Sequence, residues 1–353
     1  MTNVLILTDV FGTGGGAGAV ALTVAEALAS RHAVRVLSAD APADLVPTAY
    51  RLKVHAVAIP ARARNFLGVR HPRALQTLDA ELVAHRPDVA FVHNIHSAWS
   101  YASLSVLARH GVRTVLTYHD VVAFTPYAKL CGIAYRRTAT GYAFAYRYPW
   151  WRHLRQAKLT YNPWRNAAIR RYLNLTPAKG AVSAALASAL RANHVGVDAV
   201  VHNGRELVAL DGVPAERSAI FFGGRLSSAK GMLQVVAYLT ALRDQHRLRP
   251  TVLVVGNPGA AAQKLSAAAS AAGVAGQLTF CGWQSQAEYL RLLASCRLAL
   301  VPSTCFDSLP TVVLDAMAVG RPAIASIFGG SRELIVDGET GYVVDPFDVP
   351  AVA

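Results

Sequence analysis

Cysteine is scarce in this chain, acidic residues are missing from a long central stretch, and no hydrophobic run is long. The four cysteines, Cys131, Cys281, Cys296 and Cys305, are scattered, with no CxxC pair and no metal-ligand spacing. That pattern excludes a disulfide scaffold or zinc module and predicts reduced core or near-core thiols in a cytosolic protein. No apolar run approaches the roughly 18–20 residues of a membrane span. The N-terminus reads Met-Thr-Asn before Val4–Leu7, without the basic lead or the length of a signal peptide. Charged residues make up only 16% against 53% hydrophobic, the opposite of a disordered composition. A chain of 353 residues exceeds the usual size of one hydrophobic core, so two domains are expected.

Between Asp120 and Asp198 there is no acidic residue. The same stretch carries twelve basic side chains: Lys129, Arg136, Arg137, Arg147, Arg152, Arg155, Lys158, Arg165, Arg170, Arg171, Lys179 and Arg191. These account for most of the formal net charge of +14. Aromatics are interleaved with them, including Tyr148, Trp150, Trp151, Tyr161 and Trp164. A basic and aromatic belt at 124–172 points to an anionic partner. Trp and Tyr beside Arg and Lys suit the headgroup layer of a bilayer. Stacking on single-stranded nucleic acid needs the same residue types, but no nucleic-acid module is visible and none is expected as a partner. A solvated helical face is the plain alternative.

Short β-branched runs alternate with alanine- and leucine-rich stretches, the pattern of parallel sheets with helical crossovers. Strands are expected at Val4–Thr8, Val34–Ser38, Val54–Ile59, Val89–His93, Thr114–Tyr118 and Gly180–Ser183. Helices are expected at Ala17–Ser30, Ala74–Ala84 and Ala98–Arg109. After the turn Asn203-Gly204 and a loop with Asp211-Gly212 and Pro214 the pattern restarts. Strands then follow at Ala219–Phe222, Thr251–Val255, Leu278–Cys281, Leu298–Val301, Ala323–Ser326 and Tyr342–Val344. Two α/β domains, 1–203 and 204–353, are the simplest account.

Three places carry chemistry. The first expected strand runs into a turn containing Gly12, Gly14, Gly15, Gly16 and Gly18, where backbone can pass close to a phosphate or sugar. It is not a clean GxGxxG, and a nicotinamide dinucleotide is not expected. In the second half, Gly223-Gly224-Arg225-Leu226-Ser227-Ser228-Ala229-Lys230-Gly231 links a strand to a helix. Arg225 supplies a bidentate fork and Lys230 a point charge, a pair suited to a diphosphate at the carboxyl ends of the strands. Further on, Asp307 and Asp315 stand eight residues apart around a loop and helix start. By spacing alone they fit a ligand's hydroxyls or a cap and a surface charge equally well.

Together these segments resemble glycosyltransferase family 4. The resemblance rests on Gly14–Gly16, Thr117-Tyr118-His119-Asp120, Asn203-Gly204, Gly224-Arg225 to Lys230-Gly231, and Asp307 to Asp315-Ala316-Met317-Ala318-Val319-Gly320-Arg321-Pro322. Gly329-Gly330-Ser331-Arg332-Glu333 and Asp337 to Gly341 continue it. It implies an α/β GT-B architecture, two Rossmann-like domains facing across a cleft, and a retaining enzyme moving sugar from a nucleotide-diphosphate-sugar without a metal. In that frame Arg225 and Lys230 hold the diphosphate, Asp315 the ribose, and Asp307 and His119 the sugar. Gly15, Gly16, Gly224, Ser308 and Leu309 complete the donor contacts. The acceptor is expected to be a glycan or lipid-linked, and the protein cytoplasmic, peripheral on the inner face of the membrane.

Two departures accompany the resemblance. The family's Glu-x7-Glu pair is Asp-x7-Asp here, each side chain one methylene shorter, which changes reach where placement is tight. The chain also ends before the C-terminal helices that the family carries, an apparent truncation. A GT-B sugar-nucleotide epimerase and a catalytically weak nucleotide- or glycan-binding relative stand as alternatives.

Overall fold

The computed structural model describes all residues except 13–15, 44, 46, 48, 56, 140, 208–217 and 258. The chain divides into two compact units: residues 1–129 with 146–203, and residues 130–145 with 204–353. The loop with Asp211, Gly212 and Pro214 lies outside the described residues, as does Gly15.

Fifteen strands are named in chain order: β1 (Asn3–Val10), β2 (Ala33–Asp40), β3 (Arg51–Val54), β4 (Val89–Val92), β5 (Arg113–Tyr118), β6 (Tyr135–Thr138), β7 (Gly141–Phe144) and β8 (Ala178–Ala181). They continue as β9 (Ala199–Val200), β10 (Ile220–Gly223), β11 (Val252–Val255), β12 (Leu278–Gly282), β13 (Leu298–Val301), β14 (Ala323–Ser326) and β15 (Gly341–Val344). In the first unit the sheet order is β3-β2-β1-β4-β5-β8-β9, and in the second β12-β11-β10-β13-β14-β15. Pairing within both sheets is parallel. Both are therefore open Rossmann-like sheets, and their central strands read as unbroken apolar runs because helices cover both faces. Val4–Leu7 is buried throughout, with Ile6 opposite Val36 and Phe91.

Each sheet reverses direction once, between β1 and β4 and between β10 and β13. Loops leaving the carboxyl ends of such strand pairs part to opposite faces and open a crevice there. The candidate residues lie on those loops: His93 and His119 follow β4 and β5, Arg225 follows β10, and Asp307 follows β13.

Four expectations are corrected. The third strand is Arg51–Val54, not Val54–Ile59; as an edge strand it pairs only with β2 and accepts Arg51 and Lys53 on its exposed positions. The helix expected at Ala98–Arg109 begins at Ser103, because the Asp9 carboxylate takes the amides of Ser97, Ala98 and Trp99 at 2.6, 2.9 and 3.1 Å. Within the basic belt, β6 and β7 form an antiparallel hairpin that belongs to the second unit, although its sequence falls in the first half. The fourth correction concerns Cys131 and Cys305, expected as thiols, which form a disulfide across 174 residues.

The hairpin's own contacts explain its place. Tyr135 and Phe144 pack against Phe328 with ring centroids 5.1 and 5.9 Å apart, and Arg332 lies 4.8 Å over the Phe144 ring. Leu130 accepts a hydrogen bond from the Phe306 amide at 2.9 Å, which sets Cys131 opposite Cys305.

Candidate active site

In the second unit two loops are locked together. The turn after β10 runs from Gly224 (φ 106°) through exposed Arg225 to Lys230 and Gly231 (φ 79°), and the helix Met232–His246 starts there. A Cβ on Gly231 would stand 1.9 Å from the Pro302 carbonyl oxygen, so only glycine lets this turn meet the loop after β13. The Thr304 amide donates to the Ala229 carbonyl at 3.0 Å and the Thr304 hydroxyl to Ser228 at 3.1 Å. The pair Gly329-Gly330 performs the same service for Asp307. A Cβ on Gly329 (φ 117°) would lie 1.9 Å from the Asp307 carbonyl oxygen, which accepts from the Gly330 amide at 3.0 Å.

This framework brings Lys230 and Asp307 into an ion pair, with Ser303 Oγ donating to the same Asp307 Oδ2 at 3.2 Å. Ser308 and Leu309 are buried, directly ahead of the helix Thr311–Ala318, whose N-cap Pro310 makes no side-chain cap. The Val313 amide donates to the Pro310 carbonyl at 3.1 Å, closing the first turn of that helix. Asp315, one turn further in, is 4% exposed.

Among the described residues Asp315 pairs with Arg205, whose Nε lies 2.8 Å from Oδ1. The contact is a close ion pair to a buried carboxylate oxygen. Burial pushes the Asp315 carboxyl up to about 6, against the opposing pull of Arg205. Arg225 is exposed and has no ion-pair partner among the described residues. Among the described residues, Arg205, Arg225 and Lys230 stand here with Asp307 and Asp315.

The first unit holds a separate cluster. His93 Nδ1 and His119 Nε2 are 2.8 Å apart. Asn94 donates to Asp120 Oδ2 at 3.1 Å, and His96 Nε2 lies 3.8 Å from the same oxygen. Burial pushes His93 down to about 4 and holds His119 well below the ordinary imidazole range, His93 adding to the latter effect. Gly16 opens the helix Gly16–Ala29 after β1. A cavity of about 490 Å³ lies elsewhere in this unit, beside Asn3, Arg35 and Glu81 toward the amino ends of β1 and β2. The crevice rule and the glycine clamps favour the carboxyl ends, so that cavity is not taken as the reaction site.

Arg225, Lys230, Gly224, Asp307, Ser308, Leu309 and Asp315 are thus gathered in the second unit, and Gly16 and His119 lie in the first. Sequence reasoning missed Arg205, Ser303 and the partnership of His93 with His119. Arg205 directly follows the Asn203-Gly204 turn, which was its only signal. Among the described residues no group of three His, Cys, Asp or Glu side chains has the arrangement of a metal site.

Residues 14–208 match the family model Glycosyltransferase Family 4, and residues 210–353 match Glycosyl transferases group 1. The chain belongs to glycosyltransferase family 4. It is 30% identical over 152 residues to alpha-D-kanosaminyltransferase of Streptomyces kanamyceticus, covering 42% of this chain and 37% of that protein. The chain therefore aligns with little more than a third of that curated relative. Among solved structures, sucrose-phosphate synthase from Thermosynechococcus elongatus superposes with TM-score 0.73 at 19% identity, covering 100% of this chain and 88% of that one. Anabaena HepE in complex with UDP gives TM-score 0.65 at 18% identity, covering 99% and 87%. The architecture shared with these neighbours is GT-B.

Proposed function

We propose that this family member transfers a sugar from a nucleotide-diphosphate-sugar to a glycan or lipid-linked acceptor, with retention at the anomeric carbon. The observation that carries the reading is the clamped pair of loops in the second unit, where Arg225 and Lys230 stand with Asp307 ahead of the helix Thr311–Ala318. Cleaving the sugar–diphosphate bond builds negative charge on the departing phosphate and positive charge on the sugar ring. Fixed cations that meet that growing charge stabilise the transition state more than the ground state. One close charge pair at an effective dielectric near 20 contributes about 4 kcal/mol, roughly three decades of rate when fully realised.

Among the described residues Lys230 pairs with Asp307, and a diphosphate of charge about −2 competes for it while Asp307 moves to the sugar hydroxyls. Asp315, held by Arg205, takes a ribose hydroxyl. His119, in the first unit, is kept a neutral ring by burial. No enzymic nucleophile is assigned; the leaving phosphate takes the acceptor's proton on the face it departs from. UDP in the HepE complex supports a nucleotide-sugar donor and makes UDP the first candidate.

Calorimetric titration with UDP, GDP and ADP, then their sugar conjugates, tests the reading. Arg225→Ala and Lys230→Ala should each weaken donor binding and turnover together at unchanged melting temperature. EDTA should leave turnover unaltered, and product NMR should show the donor's anomeric configuration. Unchanged binding and rate in either variant removes the diphosphate assignment.

The proposal also places the protein at the surface of an anionic membrane. Trp150, Trp151, Leu154, Leu159 and Trp164 are exposed, at 68, 54, 42, 102 and 76%, beside exposed Arg147, Arg155, Lys158 and Arg171. No helix of the described residues is long and apolar enough to cross a membrane. Attachment at a lipid surface is what this chemistry fits.

A further inference from the structure

Two imidazoles at the carboxyl ends of β4 and β5 share one short hydrogen bond. His93 Nδ1 and His119 Nε2 lie 2.8 Å apart, and the rings stack at 5.1 Å with 22° between planes. One nitrogen must carry the proton and the other the lone pair, because two N–H groups or two lone pairs repel at that distance. The remaining nitrogen of His93 distinguishes the two arrangements. His93 Nε2 is buried and has no hydrogen-bond partner. Were His119 the donor, neutral His93 would carry its proton on Nε2, a buried N–H without an acceptor. Orphaned buried donors are rarer than unused acceptors. With the proton on His93 Nδ1, the unpartnered atom is a lone pair.

We infer that His93 is a positioning residue: it donates Nδ1–H to His119 Nε2 and so fixes His119 in its Nδ1–H form. The surroundings hold both rings in place. The His93 amide donates to the Leu7 carbonyl at 3.0 Å, and Asp120, next to His119, accepts from Asn94 Nδ2 at 3.1 Å and from the Val122 amide at 2.9 Å. With Nε2 occupied, His119 offers a ligand oxygen a hydrogen-bond donor and keeps no lone pair for use as a base. That assigns it to orienting a hydroxyl or carbonyl oxygen, and the acceptor's proton must leave by another route. The effect on turnover rests on the reading of His119 as a sugar contact; the tautomer does not.

Two-bond ¹⁵N–¹H correlation spectra of histidine-labelled protein read the tautomer directly. His93→Asn and His119→Asn spectra supply the assignments. The expected result is Nδ1–H on both rings, and Nε2–H on His119 overturns the inference whatever the enzyme's activity. In turnover, His93→Leu should lower kcat/KM for the donor by at least about tenfold, since the misplaced His119 no longer orients the sugar. His93→Asn, whose amide N–H reaches the place of Nδ1, should recover most of the loss. Equal loss in both variants, or loss in neither, also overturns it. A protein with the expected tautomer but no transfer from any donor would sink the proposed function and leave the tautomer assignment standing.

Discussion

At the scale of single residues the donor loops are governed by two ion pairs that the protein makes with itself, Lys230 with Asp307 and Arg205 with Asp315. The second is the more informative, because burial has raised the Asp315 carboxyl to about 6 while Arg205 opposes the rise. Below that pH the group is protonated and accepts a ribose hydroxyl less well. Affinity for UDP-glucose, whose diphosphate does not titrate in this range, should therefore fall as pH drops through about 6. Calorimetry from pH 7.5 to 5 measures it, and a flat profile counts against the ribose assignment. Arg205→Ala removes the influence that pulls the group down among the described residues, so the midpoint should move upward. For stability the sign is opposite to that of binding. A carboxyl whose folded pKa is raised stabilises the fold fully below its unfolded value near 3.8 and loses that contribution as pH rises through about 6. Asp315→Asn should accordingly weaken donor binding at pH 7.5 without lowering the melting temperature.

Between residue and domain, the site is made by elements that grip one another, and glycine decides where they can. Gly329 is the sharpest case: its φ of 117° and the 1.9 Å from a built Cβ to the Asp307 oxygen leave no room for a side chain. Gly329→Ala should displace the Asp307 loop, costing about 3 kcal/mol or more of stability together with donor affinity. A variant of unchanged melting temperature and affinity would refute the clamp. The motifs around Gly224, Gly231, Gly329 and Gly330 were readable because backbone constraints leave a residue-type signature. The hairpin β6–β7 was not, because its partner surface, Phe328 and the loop at Cys305, lies far along the chain. The same distance hid the disulfide, since 174 residues separate its cysteines. Replacing both by alanine should lower the stability of the second unit by about 2–4 kcal/mol. Donor affinity should weaken as well, because Leu130 holds the Phe306 amide next to Asp307. Thermal unfolding with and without reductant checks this: the native protein should respond and the double variant should not.

For the molecule as a whole, two open parallel sheets were legible from the alternation of β-branched runs and helical stretches. So was the restart after Asn203-Gly204, since both signals are local. What the pattern could not show is how one charged stretch divides in three dimensions. Arg136 and Arg137 leave with the hairpin for the second unit, while Arg165, 2% exposed, is buried and donates to the Val122 carbonyl at 2.6 Å. The belt that remains on the surface of the first unit is thus smaller than twelve cations, but more sharply amphipathic. The helix Trp150–Ala157 turns His153 and Ala157 inward and leaves Trp150, Trp151 and Leu154 exposed with Arg155. Indole rings that enter the headgroup layer and arginines that meet lipid phosphate act together, so removing either half should fail differently. Sedimentation with vesicles containing phosphatidylglycerol should retain the protein at low salt and release it as salt screens the arginines, within about a Debye length of 8–10 Å. Trp150→Ser with Trp151→Ser should weaken binding at every salt concentration, whereas Arg147→Gln with Arg155→Gln should chiefly flatten the salt dependence. Binding that ignores both pairs of substitutions, or none to anionic vesicles at low salt, would reduce this face to a solvated helix.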